Sequence, residues 1–279
     1  MTWTPTEPGA PSPLPTLPNL RDLGGWTGDG GRPVQYGRVF RSTDFRAVKD
    51  PSTVLAEVPL KMVYDLRTTN EITQTPDPKM TGVDDLHLDV LADLMGSSGD
   101  ATASAMPAEM NAALADPEKL HELRDQMKSI DVVGKMSESY RSMVSSGSGK
   151  KAYRRFYEGL LHQDQQPALF HCTTGKDRTG WAAASFLSLM GVDRDDVYKD
   201  YLLTNDRLLP ALKGVTDKWV AAGGTPDEVV PFLGVEKAYL DAAFDELEKN
   251  FGDVAGYFTS GLGLSVDQQG ALRDKFLAG

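Results

Sequence analysis

At 279 residues, the chain is long enough to bury one full core, and its formal net charge of −11 disfavours nucleic acid or an anionic membrane as a bulk partner. A single cysteine excludes an intrachain disulfide, and no apolar run reaches the length of a membrane span. The N-terminus has neither the basic region nor the apolar core of a signal peptide, so the expected location is the cytoplasm, or outside the cell by a route without a standard signal.

Residues 1–16 are poor in large apolar groups and hold Pro5, Pro8, Pro11, Pro13 and Pro15, which predicts a disordered, extended arm ahead of a single domain over 17–279. The glycines from Gly24 to Gly31 suggest a hairpin running into a strand over Tyr36–Arg41. Ser52–Val58 reads as a short helix, Lys61–Arg67 as a buried strand with a polar end, and Leu86–Val90 as an alternating strand. From about 101 to 163 the pattern is helical, and an acidic stretch over 95–135 carries no assignable role. Pro167–Phe170 is a short buried strand, and Arg178–Met190 is an Ala-rich helix stopped by Gly191. Val197–Leu203 continues helically, 206–234 is irregular but apolar, and Gly234–Asn250 and Val266–Leu277 are amphipathic helices. Helices around a few parallel strands make an α/β fold with a central, mostly parallel sheet.

The chemistry concentrates in His171-Cys-Thr-Thr-Gly-Lys-Asp-Arg-Thr179, between the 167–170 strand and the 178–190 helix. A loop opening into a helix points successive N–H groups inward and adds the positive end of the helix dipole, a cradle for an oxyanion. Gly175 permits the turn, and Arg178 offers a planar fork for two phosphate oxygens. The same field favours ionisation of Cys172, and a thiolate there could attack phosphorus. Thr173, Thr174, Gly175, Lys176, Asp177 and Thr179 would surround the phosphate, with Thr179 donating to the thiolate and His171 orienting the loop. The alternative is a buried core cysteine beside an incidental arginine. His87, His121, His162 and His171 lack metal-ligand spacing, so neither metal nor other cofactor is expected.

Together with Asn19-Leu-Arg-Asp-Leu-Gly-Gly25, Gly37-Arg-Val-Phe-Arg-Ser42, Asp65-Leu-Arg67 and Asp200-Tyr-Leu-Leu-Thr-Asn205, the loop resembles the bacterial tyrosine-protein phosphatases of the mycobacterial PtpB type. The resemblance runs from about residue 17 to the C-terminus. It implies a cysteine-dependent, metal-independent phosphatase of protein-tyrosine-phosphatase-like fold, with Cys172 as nucleophile and Lys176, Asp177 and Arg178 lining the site. It also implies Asp65 as general acid and a helical lid over 206–234. Expected substrates are protein phosphotyrosine, with phosphoserine or phosphothreonine, or phosphoinositides. The competing readings are a dedicated sugar- or nucleoside-phosphate phosphatase and a silent phosphate-binding module.

No Trp-Pro-Asp run supplies the acid. Asp65 would project from a strand end towards the loop, or else make a structural pair; Asp177, inside the loop, is the second candidate. Arg67 and Glu71 are four apart and read as a helix-surface pair, and Arg21, Asp22 and Arg41 as a structural ion network. Lys176 either meets a second substrate phosphate or points into solvent.

Overall fold

The structure, a computed structural model, describes residues 3–94, 124–125 and 129–279; most of the acidic stretch and the first part of the expected helical run lie outside the described residues. Five strands, β1 (Arg21–Asp22), β2 (Val39–Ser42), β3 (Met62–Asp65), β4 (Asp84–His87) and β5 (Ala168–His171), form one sheet in the order β1-β2-β5-β3-β4. Only β1 runs antiparallel to its neighbour. The central strand β5 carries Ala-Leu-Phe-His, buried on both faces, as expected of a parallel strand covered by helices on either side.

Strand alternation divides the core. Phe40, Val63 and Leu169 face a cluster with Leu17, Leu20, Phe45 and Val54. Val39, Tyr64, Phe170 and, just past the strand, Cys172 face the larger cluster on the other side. The register sets Ser42 and Asp65 level with His171 at the carboxyl edge of the sheet, where ligands bind in open α/β folds.

The helices are α1 (Ser52–Glu57), α2 (Thr69–Gln74), α3 (Val132–Ser145), α4 (Gly147–Leu160), α5 (Arg178–Leu189), α6 (Arg194–Ala211), α7 (Lys213–Ala221), α8 (Pro226–Leu233), α9 (Lys237–Phe251) and α10 (Val266–Phe276). The buried run Ala182–Ala184 lets α5 lie close to β2 and β5. Trp181 stacks edge-on against Phe244 and Tyr257, and its Nε1–H donates to the Tyr257 hydroxyl at 3.1 Å. From α4, Phe156 packs against Tyr64 and Phe170. Gly191 has φ +77, the left-handed residue that ends the α5 turn. Among the described residues no helix is long and apolar enough to cross a membrane.

Three expectations differ. Residues 3–16 lie along the body instead of being disordered: the Trp3 N–H donates to the Glu57 carbonyl, its ring sits 6.1 Å from Phe40, and Arg207 Nη2 donates to the Gly9 carbonyl. Trp3 and Leu14 supply the apolar anchors that the proline content obscures. The 206–234 segment is helical, with Pro210 and Pro231 inside α6 and α8. Finally, the helix implied by the expected Arg67–Glu71 surface pair starts only after Arg67, at Thr69; Thr68 and Glu71 form a capping box at the start of α2.

Candidate active site

Six residues, 172–177, join β5 to α5 at the carboxyl edge of the sheet. The turn depends on Gly175, at φ +67, where an added Cβ would lie 2.2 Å from the Ser42 carbonyl oxygen. Protein donors take the loop carbonyls: the Asp44 N–H that of Thr173, Asn19 Nδ2 those of Thr174 (3.2 Å) and Gly175 (2.9 Å), and Arg41 Nη2 that of Gly175 (2.9 Å). Among the described residues no protein acceptor takes the amides of Thr173 to Asp177. With carbonyls held outward and amides uncommitted, the loop is a cradle for an anion. Asp200, fully buried, anchors the supporting side by pairing with Arg21 Nε at 2.9 Å and Arg41 Nη1 at 2.7 Å. Asp22, expected in that network, instead accepts from the Gly24 and Gly37 N–H groups.

Cys172 is 1% exposed at the start of the loop, on the α5 side of the sheet. Arg178, in the first turn of α5, is gripped by Glu71: Nη1 to Oε2 at 2.6 Å and Nη2 to Oε1 at 2.8 Å. Glu71 Oε1 also accepts from the Thr173 hydroxyl at 2.5 Å, and Oε2 from the Thr68 N–H at 2.8 Å. Burial works against both charges, but these bonds outweigh it, holding Glu71 well below the usual carboxylate range and Arg178 above its ordinary value. The guanidinium is thereby fixed in orientation beside the loop. Glu71 is the residue the sequence reading misplaced, for it makes no pair with Arg67; the Thr68-x-x-Glu71 capping signal after a strand end is what could have placed it.

Asp65 does not join Cys172. It shares the face of its neighbour His171, and its carboxylate chelates Arg67, with Nε at 2.9 and 3.0 Å and Nη2 at 2.6 Å. Arg67 also holds Asp77 at 2.7 Å and the Thr75 carbonyl at 2.8 Å. One ligand atom each from Asp65, Asp77 and His171 lies within 4.8 Å of the others, but Arg67 bonds both carboxylates, so this cluster is an ion network. His171 is fully buried, with Nδ1 3.1 Å from the Cys172 carbonyl and Nε2 in ion-pair contact with Asp77 at 3.1 Å. Burial opposes its charge, yet the Asp77 and Asp65 carboxylates raise its pKa above 6.5.

Lys176 is neither solvated nor inside the cradle. It is 6% exposed, and its ammonium donates to the carbonyls of Phe232 (2.5 Å) and Gly234 (3.1 Å) at the end of α8. Cations favour a helix C-terminus, where carbonyls lack partners. Asn205 secures the same stretch by exchanging two 2.8 Å bonds with Val235. Asp177 Oδ1 accepts from the Tyr140 hydroxyl at 3.0 Å, and Oδ2 lies 3.6 Å from Lys176 Nζ. The Thr179 hydroxyl is buried without a hydrogen-bond partner among the described residues. A thiol, an anion cradle, a fixed guanidinium and a loop carboxyl together can perform nucleophilic displacement at phosphorus.

Comparison with known proteins agrees with this geometry. The profile of a family described as the tyrosine phosphatase family matches residues 12–278. A provisionally named tyrosine-protein phosphatase of Cupriavidus necator is 31% identical over 273 residues, covering 95% of this chain and 87% of that protein. The triple specificity protein phosphatase PtpB of Mycobacterium tuberculosis is 28% identical over 259 residues, covering 88% and 91%.

Proposed function

This chain belongs to the tyrosine phosphatase family, and we propose that it hydrolyses the phosphotyrosine of proteins through a phospho-cysteine formed on Cys172. The observation that carries the reading is the loop itself, with its carbonyls drawn outward by Asn19 and Arg41 and Arg178 aimed by Glu71.

In the first step the Cys172 thiolate attacks phosphorus in line, and the phosphorus–oxygen bond to the leaving group breaks. The loop amides and Arg178 hold the equatorial oxygens as charge develops on them. Asp177 gives its proton to the leaving oxygen. In the second step Asp177 takes a proton from water, the water oxygen attacks the phospho-cysteine, and the sulfur leaves as thiolate, steadied by the Thr179 hydroxyl. Asp177 takes the acid role in place of Asp65, because both Asp65 oxygens are bonded to Arg67 on the His171 face of the sheet. Glu71 is a positioning residue for Arg178.

The substrate preference follows from Lys176. Its ammonium is committed to the Phe232 and Gly234 carbonyls, which favours a single phosphate over a phosphoinositide carrying several. The name of one relative, a triple specificity protein phosphatase, supports a substrate range wider than one phosphorylated residue type. A silent binding module is disfavoured by intact Cys172 and Arg178. The α7–α8 pair, with its own small cluster of Trp219, Ala222 and Val229, is the proposed lid.

Hydrolysis of an aryl phosphate, with and without chelator, tests the reading. Chelator should change nothing, and Cys172→Ser should lower kcat by about 10⁴-fold or more. Retained activity in that variant, or loss on chelation, would overturn it. A panel of phosphopeptides, phosphoinositides and sugar phosphates then ranks the substrates.

A further inference from the structure

The Asp177 carboxyl is held by a pair of tyrosines that the reaction scheme leaves unused. Tyr140, on α3, donates to Asp177 Oδ1 at 3.0 Å, and Tyr201, on α6, donates to the Tyr140 oxygen at 2.7 Å. Their exposures are 0% and 1%, so water does not substitute for either bond. The two rings meet edge-on at 6.2 Å, and Tyr239 of α9 packs 5.8 Å from Tyr140 on another side. Three helices distant in sequence thus meet at Tyr140, which alone of these tyrosines bonds the loop carboxyl. Burial first, and then the Asp177 charge, push both phenols well above their ordinary value, so each remains a donor throughout the working range of pH.

We propose that Tyr140 is a positioning residue for proton transfer: its hydroxyl, reinforced by Tyr201, fixes the Asp177 carboxyl so that the acid proton resides on Oδ2. The inference rests on Asp177 as the general acid. Its chemistry is one of hydrogen-bond direction. An oxygen accepting the Tyr140 proton is the poorer site for a second one, so the transferable proton goes to the other oxygen.

The charged and titratable groups that face this carboxyl are Lys176, 3.6 Å from Oδ2, Arg178 of α5, Tyr140, Tyr201 and Tyr239. Arg41 of β2 acts on both Tyr140 and Tyr201, and Cys172 and Glu71 act through Arg178.

The test compares kcat/KM on two aryl phosphates for the full chain and for Tyr140→Phe, Tyr201→Phe and Asp177→Asn. Phenyl phosphate needs its leaving oxygen protonated, whereas 2,4-dinitrophenyl phosphate hardly does. Tyr140→Phe should lower kcat/KM for the phenyl ester about tenfold and for the dinitrophenyl ester about twofold or less, within the range over which general acids act. The difference between the two losses is the signature, since a misplaced acid costs only the ester whose leaving oxygen must be protonated. Tyr201→Phe, which keeps the bond to Asp177, should lower the phenyl ester selectively but by less, and it serves if Tyr140→Phe does not fold. Equal losses on both esters, or no loss on either, in a variant that melts as the parent does, would overturn the proposal. Should Asp177→Asn keep the phenyl activity, the acid assignment itself fails, whatever Tyr140 does.

Discussion

Replacing Glu71 by Gln separates two opposite roles for the carboxylate that grips Arg178. The variant keeps the shape and one acceptor oxygen but turns the other into an amide whose N–H groups face a guanidinium N–H. Two bonds charged at both ends, at 2.6 and 2.8 Å, are reduced to one whose donor alone is charged. Charge-assisted bonds contribute about 1.5–3 kcal/mol each, so one such contribution is lost outright and the other is weakened. Because the Glu71 side chain is 24% exposed, water recovers part of the difference, leaving a net loss of about 2 kcal/mol. If Glu71 aims Arg178 for the transition state, that loss corresponds to a kcat/KM lowered about 30-fold, since 1.36 kcal/mol is a factor of ten. Steady-state hydrolysis of an aryl phosphate measures it, with inhibition by inorganic phosphate as the companion reading. Glu71→Gln should bind phosphate more weakly. A variant that binds phosphate more tightly and turns over faster would show that Glu71 competes with substrate for the guanidinium, and the positioning argument would be wrong.

Gly175→Ala should abolish aryl phosphatase activity and cost at least about 2 kcal/mol of stability, combining left-handed strain with the contact against the Ser42 carbonyl; a thermal melt and an activity assay near wild-type values would contradict the loop geometry. Lys176→Met removes the ammonium from the Phe232 and Gly234 carbonyls, so α7–α8 amides should exchange about tenfold faster, while α5 amides are unchanged. Equal exchange before and after would exclude Lys176 as the tie between lid and loop. Asp22 gives a pH signature. Burial, opposed by bonds from Gly37 and Gly24, raises its pKa from 3.8 to about 6, so the folded state keeps the proton longer than the unfolded chain. Stability from this group is therefore fully present below the unfolded value and is lost as pH rises to about 6, a change of about 3 kcal/mol at most. Denaturant unfolding should show this decline in the parent and not in Asp22→Asn; parallel pH dependences would refute it.

The sheet and the strand–turn–helix unit around Cys172 were legible because their signals are contiguous: buried strand, glycine turn and Ala-rich helix follow one another over residues 167–190. What surrounds the loop was not, because it acts across space. Asn19, Arg41 and Glu71 reach the loop from more than a hundred residues away, and Tyr140 from another helix altogether. The Asp65 expectation failed on parity. Parallel partners point the same way, so a residue level with His171 shares the face of His171, and Cys172, one residue on, lies on the other. Lys176 was read as either substrate-facing or solvated because its true partners are backbone carbonyls of a distant helix end, which no side-chain pattern announces. The Asp200 partner of Arg21 and Arg41 was visible only as part of a family motif, without a role.

Rapid acid quench during turnover of an aryl phosphate, followed by mass measurement of the peptide that contains residue 172, interrogates the chemistry at its source. The account predicts a phosphoryl group on Cys172 in the parent enzyme, formed and lost at rates that match turnover, and none in Cys172→Ser. Full turnover with no phosphoryl group ever carried by that sulfur would contradict it.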